Sequence, residues 1–128
     1  MKQHYFTLQE ATAALEIIRP LMEEVQTLRS NIIARQPEIW PAIERSAGKG
    51  GNPMLSKLVK DFERLDDLLH RILATGAQVK DINIGLLDFP AWRKEHEVYL
   101  CWKYGEGEIE FWHEIEAGFA GRQPIERF

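Results

Sequence analysis

Residues 85–122 hold the side chains of this chain that are best suited to chemistry. The segment contains the only cysteine, Cys101, and most of the aromatic residues. His113 lies between aromatic and aliphatic neighbours, and a buried imidazole can act as a general base or as a metal ligand. The alternative, which we rank first, is a structural histidine bonded to a backbone carbonyl or to a carboxylate, because buried polar groups are normally satisfied.

The end of this segment offers a candidate anion site. The glycines of residues 118–122 can turn backbone N–H groups toward one point, and Arg122 adds a positive charge, which together suit an anion or a carboxylate. An ion pair between Asp88 and Arg122 that ties the tail to the sheet is the simpler interpretation, and it ranks slightly ahead. Together with His113 and Tyr99, these two residues define a candidate small-molecule pocket.

Metal binding and nucleophilic catalysis are less well supported by the residue pattern. His113 and Glu114 come closest to a metal-ligand set, but neighbours on a strand point to opposite faces, and no ligand motif of known spacing is present. Cys101 would need a nearby base to act as a nucleophile. We expect it on the face opposite His113, as a small, partly buried hydrophobic residue. The sequence therefore identifies no catalytic residue and no cofactor.

The composition of the chain limits the classes of protein to which it can belong. The chain has 128 residues with 45% hydrophobic and 28% charged residues, typical of one globular domain. A net charge of −4 argues against nucleic-acid binding. No apolar run is long enough to span a bilayer, no signal peptide is recognisable, and one cysteine cannot form an internal disulfide. We therefore expect a cytoplasmic protein without a membrane partner.

Two long helices are predicted before residue 77. Thr7 and Glu10 form a capping box at the start of a run with three-four apolar spacing, and Pro20 should kink or break that helix. Residues 36–53 read as a connector with one short helical turn at 38–45. A second helix starts at Asn52–Pro53 and ends at Gly76. Residues 1–76 are thus predicted to form a long antiparallel helical hairpin.

Residues 77–128 are predicted to form a β-ribbon and a C-terminal tail. Alternation in residues 82–86 indicates a first strand, and residues 97–104 and 109–115 should pair around a turn, giving a sheet of about three strands. We prefer a register that pairs Leu100 with His113, because the alternative, with Tyr99 beside His113, sets Glu114 against aliphatic residues. The preferred register turns Tyr99 and Trp112 outward, as a patch typical of an interface or ligand groove.

Several motifs resemble one known family. They are GLLDFP at 85–90, EVYLCWKYGEGEI at 97–109, the triplet Trp112-His113-Glu114 and GFAGRQP at 118–124. In combination they resemble the bacterial and archaeal family catalogued as domain of unknown function 2203. The resemblance covers nearly the whole chain and implies the order of elements above, but it implies no activity, cofactor or catalytic residue.

The sequence therefore predicts an α+β protein of one domain, 1–128, with the helical hairpin packed on a small antiparallel sheet. The favoured function is a non-enzymatic interaction or regulatory module that self-associates as a homodimer, because the first helix is apolar over a wide arc and Tyr99 and Trp112 point outward. The alternative is a small-molecule-binding or metal-dependent enzyme with a pocket near His113, Asp88, Tyr99 and Arg122. A third interpretation is a regulatory partner of a nucleic-acid machine, with a basic face. That face would comprise Arg19, Arg29, Lys57, Lys60 and Arg64.

Overall fold

The structure, a computed structural model, describes residues 3–46 and 51–128, and of Ser46 and Arg127 only the backbone. The described residues form an α+β fold, as predicted. The helices and strands, in chain order, are α1 (Leu8–Ala34), α2 (Gln36–Ser46), α3 (Pro53–Ala74), β1 (Gln78–Asp81), β2 (Leu86–Arg93), β3 (His96–Lys103), β4 (Phe111–Glu114) and β5 (Gln123–Pro124). Short 3₁₀ turns lie at Phe119–Gly121 and Ile125–Arg127.

The capping box predicted for α1 is present. The Thr7 hydroxyl accepts a hydrogen bond from the Glu10 N–H at 3.0 Å, and the Glu10 carboxylate accepts one from the Thr7 N–H at 2.8 Å. Of the kink or break predicted at Pro20, the break is wrong, since α1 continues through Pro20 to Ala34. Proline inside a helix costs about 3 kcal/mol, and the full burial of Ile18 and Met22 on either side supplies packing that offsets this cost.

The boundaries predicted for the second long helix are confirmed in α3. The Asn52 side chain accepts hydrogen bonds from the N–H groups of Met54 and Leu55, Pro53 opens the helix, and Gly76 follows it with φ of 101°. The short turn predicted at 38–45 is a helix of 11 residues, α2. The glycine-rich part of the predicted connector, residues 47–50, lies outside the described residues.

Helices α1 and α3 are tied together by two ion pairs. Arg64 binds Glu24 through two hydrogen bonds of 2.6 and 2.9 Å, and Arg35 reaches Asp61 at 2.7 Å. Arg35 follows Glu24 in the chain, but its partner Asp61 precedes Arg64, the partner of Glu24. The two helices therefore run antiparallel. With α2 between them in the chain, the described helical part has three helices and differs from the simple two-helix hairpin that was predicted.

The sheet has five antiparallel strands in the order β1-β2-β3-β4-β5, so the prediction of about three strands is wrong. The predicted strand at 82–86 is largely a turn, and strands β1, β2 and β5 were not predicted. The first six residues of β2 are buried. Its sequence therefore lacks the alternation of apolar and polar residues that marks a strand with one solvent-exposed face. Pro90, which suggests a loop, is tolerated because β1 pairs only with Leu86–Asp88, so no paired strand needs a Pro90 N–H on that side. The Pro90 carbonyl accepts a hydrogen bond from the Phe6 N–H there at 2.7 Å.

The turn between β2 and β3 also escaped sequence analysis. Lys94 and Glu95 have φ of 47° and 73°, so both central residues adopt the left-handed conformation that a two-residue hairpin turn requires. Asparagine and glycine are the usual residues there. A Lys-Glu pair gives no such signal, so the sequence does not predict the hairpin of β2 and β3.

The two faces of the sheet have different environments. The inner face packs on the helices and contributes most of the sheet's apolar core residues, which are Leu87, Phe89, Ala91, Val98, Leu100, Trp102 and Trp112. The outer face carries Asp88, Cys101 and His113, which are also buried. The C-terminal segment lies against this face, because the Arg122 guanidinium stacks 4.0 Å from the ring centre of Phe111.

Candidate functional site

The register of β3 and β4 decides which side chains meet on the outer face. Tyr99 pairs with His113 and Leu100 with Trp112, so the register preferred from sequence is wrong and the rejected one is correct. The expected free-energy cost of setting a glutamate against aliphatic residues does not arise, because β4 is only four residues long. Glu110 precedes the ladder and is exposed, while Glu114 ends it and reaches His96 at 3.0 Å.

Three polar side chains from three adjacent strands converge on the outer face. Asp88 of β2 pairs with Cys101 of β3, and His113 of β4 lies one step away beside Tyr99. The Nε2 atom of His113 is 3.0 Å from Oδ1 of Asp88. The ligand atoms of all three residues lie within 4.8 Å of one another, and each residue is at most 3% exposed. We call Asp88, Cys101 and His113 the outer-face cluster.

Both ring nitrogens of His113 face hydrogen-bond acceptors. Nδ1 lies 2.8 Å from the backbone carbonyl of Glu114, and Nε2 faces the Asp88 carboxylate. Burial by itself lowers the pKa of His113, but its hydrogen bonds to Asp88 and to the Glu114 carbonyl outweigh this effect and raise the pKa above the ordinary 6.5. The cluster therefore favours a doubly protonated imidazole that donates from both nitrogens.

Cys101 is held in its thiol form. Burial in the sheet, together with the negative charge of Asp88, raises the pKa of Cys101 to about 12. The thiol is fully buried and shares a hydrogen bond with Asp88. The sequence expectation that Cys101 and His113 lie on opposite faces is wrong, yet the thiol still lacks the lowered pKa of a catalytic nucleophile.

Arg122 has a structural partner other than the predicted one. One of its terminal nitrogens donates to both carboxylate oxygens of Glu106 at 2.7 Å, and its guanidinium stacks on Phe111 and on Phe119 at 4.8 Å. The predicted pair of Arg122 with Asp88 is wrong, because Asp88 faces His113 instead. Glu106 neutralises the charge of Arg122. The role of Arg122 is therefore structural: its contacts hold the C-terminal segment in place.

The remaining sequence candidates lie around the cluster or away from it. Tyr99 is half-buried, with its ring centre 5.5 Å from that of His113 and 4.7 Å from the Lys80 ammonium. Trp112 was expected to point outward, but it is 4% exposed and belongs to the inner-face core. Glu114 contributes only its backbone carbonyl to His113. Of the candidates, the structure brings together Asp88, His113 and Tyr99.

Most of the basic residues proposed as a nucleic-acid face make contacts within the chain. Arg19 donates to the carbonyl of Gly107, Arg29 to Asn83, and Arg64 to Glu24. Lys57 pairs with Asp61 across one helical turn. A separate cavity of about 530 Å³ is lined by Arg93, Trp112, Gln123, Pro124 and Glu126, and it does not include the outer-face cluster.

Comparison with known proteins confirms the resemblance seen in the sequence. Residues 4–125 match the family described as "Uncharacterized conserved protein (DUF2203)". The chain belongs to this family. The match spans both the helices and the sheet, so the outer-face cluster lies within the family's domain. No curated protein and no solved structure matches the chain. Within the described residues, no helix is long and apolar enough to cross a membrane.

Proposed function

We propose that this protein is a non-enzymatic interaction module that self-associates through an exposed face of α3. The observation that carries the proposal is a second apolar stripe on that helix, beside the buried one. Val59, Phe62 and Leu73 are 56%, 49% and 49% exposed, and they follow one another at helical spacing. Leu69 lies between them in the stripe and is half-buried. Asp66 interrupts this stripe, but exposed apolar side chains grouped on one helix face usually mark a protein–protein contact.

The spacing of the stripe suits a second copy of the same chain. Val59 and Phe62 lie seven and four positions before Asp66, and Leu69 and Leu73 lie three and seven positions after it. An antiparallel copy related by a two-fold axis near Asp66 would set Val59 against Leu73 and Phe62 against Leu69. It would also bring the two Asp66 carboxylates near the axis, each 3.3 Å from His70 of its own helix. Such a self-complementary patch is what a two-fold dimer requires.

The wide apolar arc of α1 gives less support than its sequence implied. Within this arc, Leu21 and Leu28 pack against the core, whereas the side chain of Ile17 is 62% exposed. Trp112 no longer supports the proposal, because it lies in the core. The dimer surface is therefore placed on α3, and the cytoplasmic location remains a prediction.

The enzymatic alternative has weaker support. A small-molecule pocket near His113, Asp88, Tyr99 and Arg122 would need a free positive charge, and Arg122 is paired with Glu106. The raised pKa of Cys101 leaves the cluster without an activated nucleophile. Metal binding is the part of this alternative that the geometry favours.

Sedimentation velocity of the tag-free chain at micromolar concentration tests the proposal. We expect a dimer for the wild type and a monomer for Phe62→Glu and Val59→Glu, because a carboxylate cannot be buried in an apolar interface without a partner. Ile84→Glu is the matched control, since Ile84 is 42% exposed in the turn before β2. It should remain a dimer. A monomeric wild type, or a folded Phe62→Glu variant that still dimerises, would refute this interface.

A further inference from the structure

We propose that the outer-face cluster of Asp88, Cys101 and His113 is a binding site for a divalent transition metal of the zinc type. It offers one carboxylate, one thiol and one imidazole, the donor types that bind Zn²⁺ in proteins. Each donor projects from a different one of three hydrogen-bonded strands, β2, β3 and β4, so the backbone holds them in place. No other group of this kind is found among the described residues.

The hydrogen bonds of His113 orient it as a metal ligand. Its Nδ1 is 2.8 Å from the Glu114 carbonyl and must donate there, which leaves Nε2 directed at Asp88. A ligating histidine almost always donates its other ring N–H to a carbonyl or a carboxylate, which fixes the tautomer. In this site the carbonyl of Glu114 accepts the hydrogen bond from the non-ligating ring nitrogen of His113. Without a metal, two acceptors face one imidazole, and a second proton must fill the gap between Nε2 and Asp88.

The distances fit a tetrahedral ion after small movements of the side chains. Zinc bonds of about 2.0–2.3 Å place neighbouring donor atoms roughly 3.3–3.6 Å apart. The Asp88 and His113 atoms are already 3.0 Å apart. The donor atoms of the cluster lie no more than 4.8 Å apart, and closing a gap of that size takes a movement of about 1 Å, which side-chain rotation supplies. Three protein ligands leave one tetrahedral position for water.

Metal binding would displace the proton that lies between Nε2 of His113 and the Asp88 carboxylate, and also the thiol proton of Cys101. Both protons would leave to solvent.

The site differs from the one that the sequence pattern offered. Glu114 was the candidate partner of His113, but its carboxylate contacts His96 instead. Asp88 and Cys101 take its place. The His96–Glu114 pair supplies a control, because it also combines an imidazole and a carboxylate but is about half exposed.

Titration of the chelator-treated, tag-free full chain with ZnCl₂ and with CoCl₂ tests the proposal. We expect one metal ion per chain, and with cobalt the near-ultraviolet charge-transfer absorption of a cobalt–thiolate bond. Cys101→Ala, His113→Gln and Asp88→Asn should each weaken zinc binding by more than the roughly 10- to 100-fold that loss of an outer-shell partner costs. His96→Gln should bind as the wild type does.

Several outcomes would overturn the site. They are absence of zinc binding to the folded wild type, cobalt bound without the thiolate absorption, and zinc affinity that survives Cys101→Ala. The cobalt spectrum is measured on the wild type and so does not depend on the variants folding. Repeating the titration on Phe62→Glu separates this proposal from the dimer, because the cluster lies on the sheet and should still bind in a monomer.

Discussion

His113 and Asp88 meet at 3.0 Å although their strands do not pair with each other. They reach one another across β3, where Cys101 pairs with Asp88 and Tyr99 pairs with His113. The pair is almost completely buried, with side chains 3% and 4% exposed. An ion pair in such a place leaves a costly unpaired group when either partner is removed.

Removing the carboxylate of this pair should destabilise the fold. In Asp88→Ala the donors of His113 and Cys101 lose their acceptor, and we expect the free energy of unfolding to fall by about 3 kcal/mol. Urea denaturation measures it. Glu114→Ala is the control, because the side chains of Glu114 and its partner His96 are both nearly half exposed and their ion pair should matter little. A loss for Asp88→Ala no larger than that of the control would contradict the structural role of the pair.

The raised pKa of His113 predicts a pH-dependent contribution to stability. A group whose pKa is higher in the folded state stabilises fully below its unfolded value, here 6.5, and that contribution is lost as pH rises through the folded pKa. The difference in unfolding free energy between wild type and His113→Gln should therefore shrink as pH increases above 6.5. Urea midpoints of the chelator-treated protein across this range provide the measurement. A difference that is constant or grows with pH would contradict the assignment.

The Cys101 thiol should resist alkylation in the native protein. Its pKa of about 12 leaves almost no thiolate near neutral pH, and its side chain is inaccessible. We expect iodoacetamide to modify the native chain far more slowly than the chain in urea. Mass spectrometry of timed samples follows the reaction. Modification at equal rates in both conditions would show that the thiol is exposed or activated.

We expect Gly85, in the turn before β2, to tolerate a side chain less well than Gly105, in the turn after β3. It has φ of 66°, and a Cβ there would lie 2.6 Å from the Tyr104 Cβ. Gly105 has φ of 100° but open space around it, so Gly85→Ala and Gly105→Ala share backbone strain and differ in the clash. We expect Gly85→Ala to be less stable than Gly105→Ala by about 1–3 kcal/mol, the usual cost of overpacking. Equal thermal unfolding temperatures would argue against this close approach.

Local sequence signals determined the helices of this protein. The capping box of Thr7 and Glu10 and the cap of Asn52 with Pro53 act within one turn, so short-range chemistry is enough to place both helix starts. The three-four spacing likewise identified the buried positions of α1, among them Leu15 and Ile18. The α+β class followed from the change of period after Gly76.

Only the tertiary structure decided the sheet and the outer-face cluster. A shift of one residue between β3 and β4 moves every side chain to the opposite face, and the choice depended on where the ladder ends, which the sequence of the two strands does not specify. Strand β2 was hidden because burial on both faces removes the alternation that marks a strand. Asp88 and His113 became partners only when β3 was inserted between their strands. Their contact is therefore a property of strand order and register, since nothing within either local segment determines it.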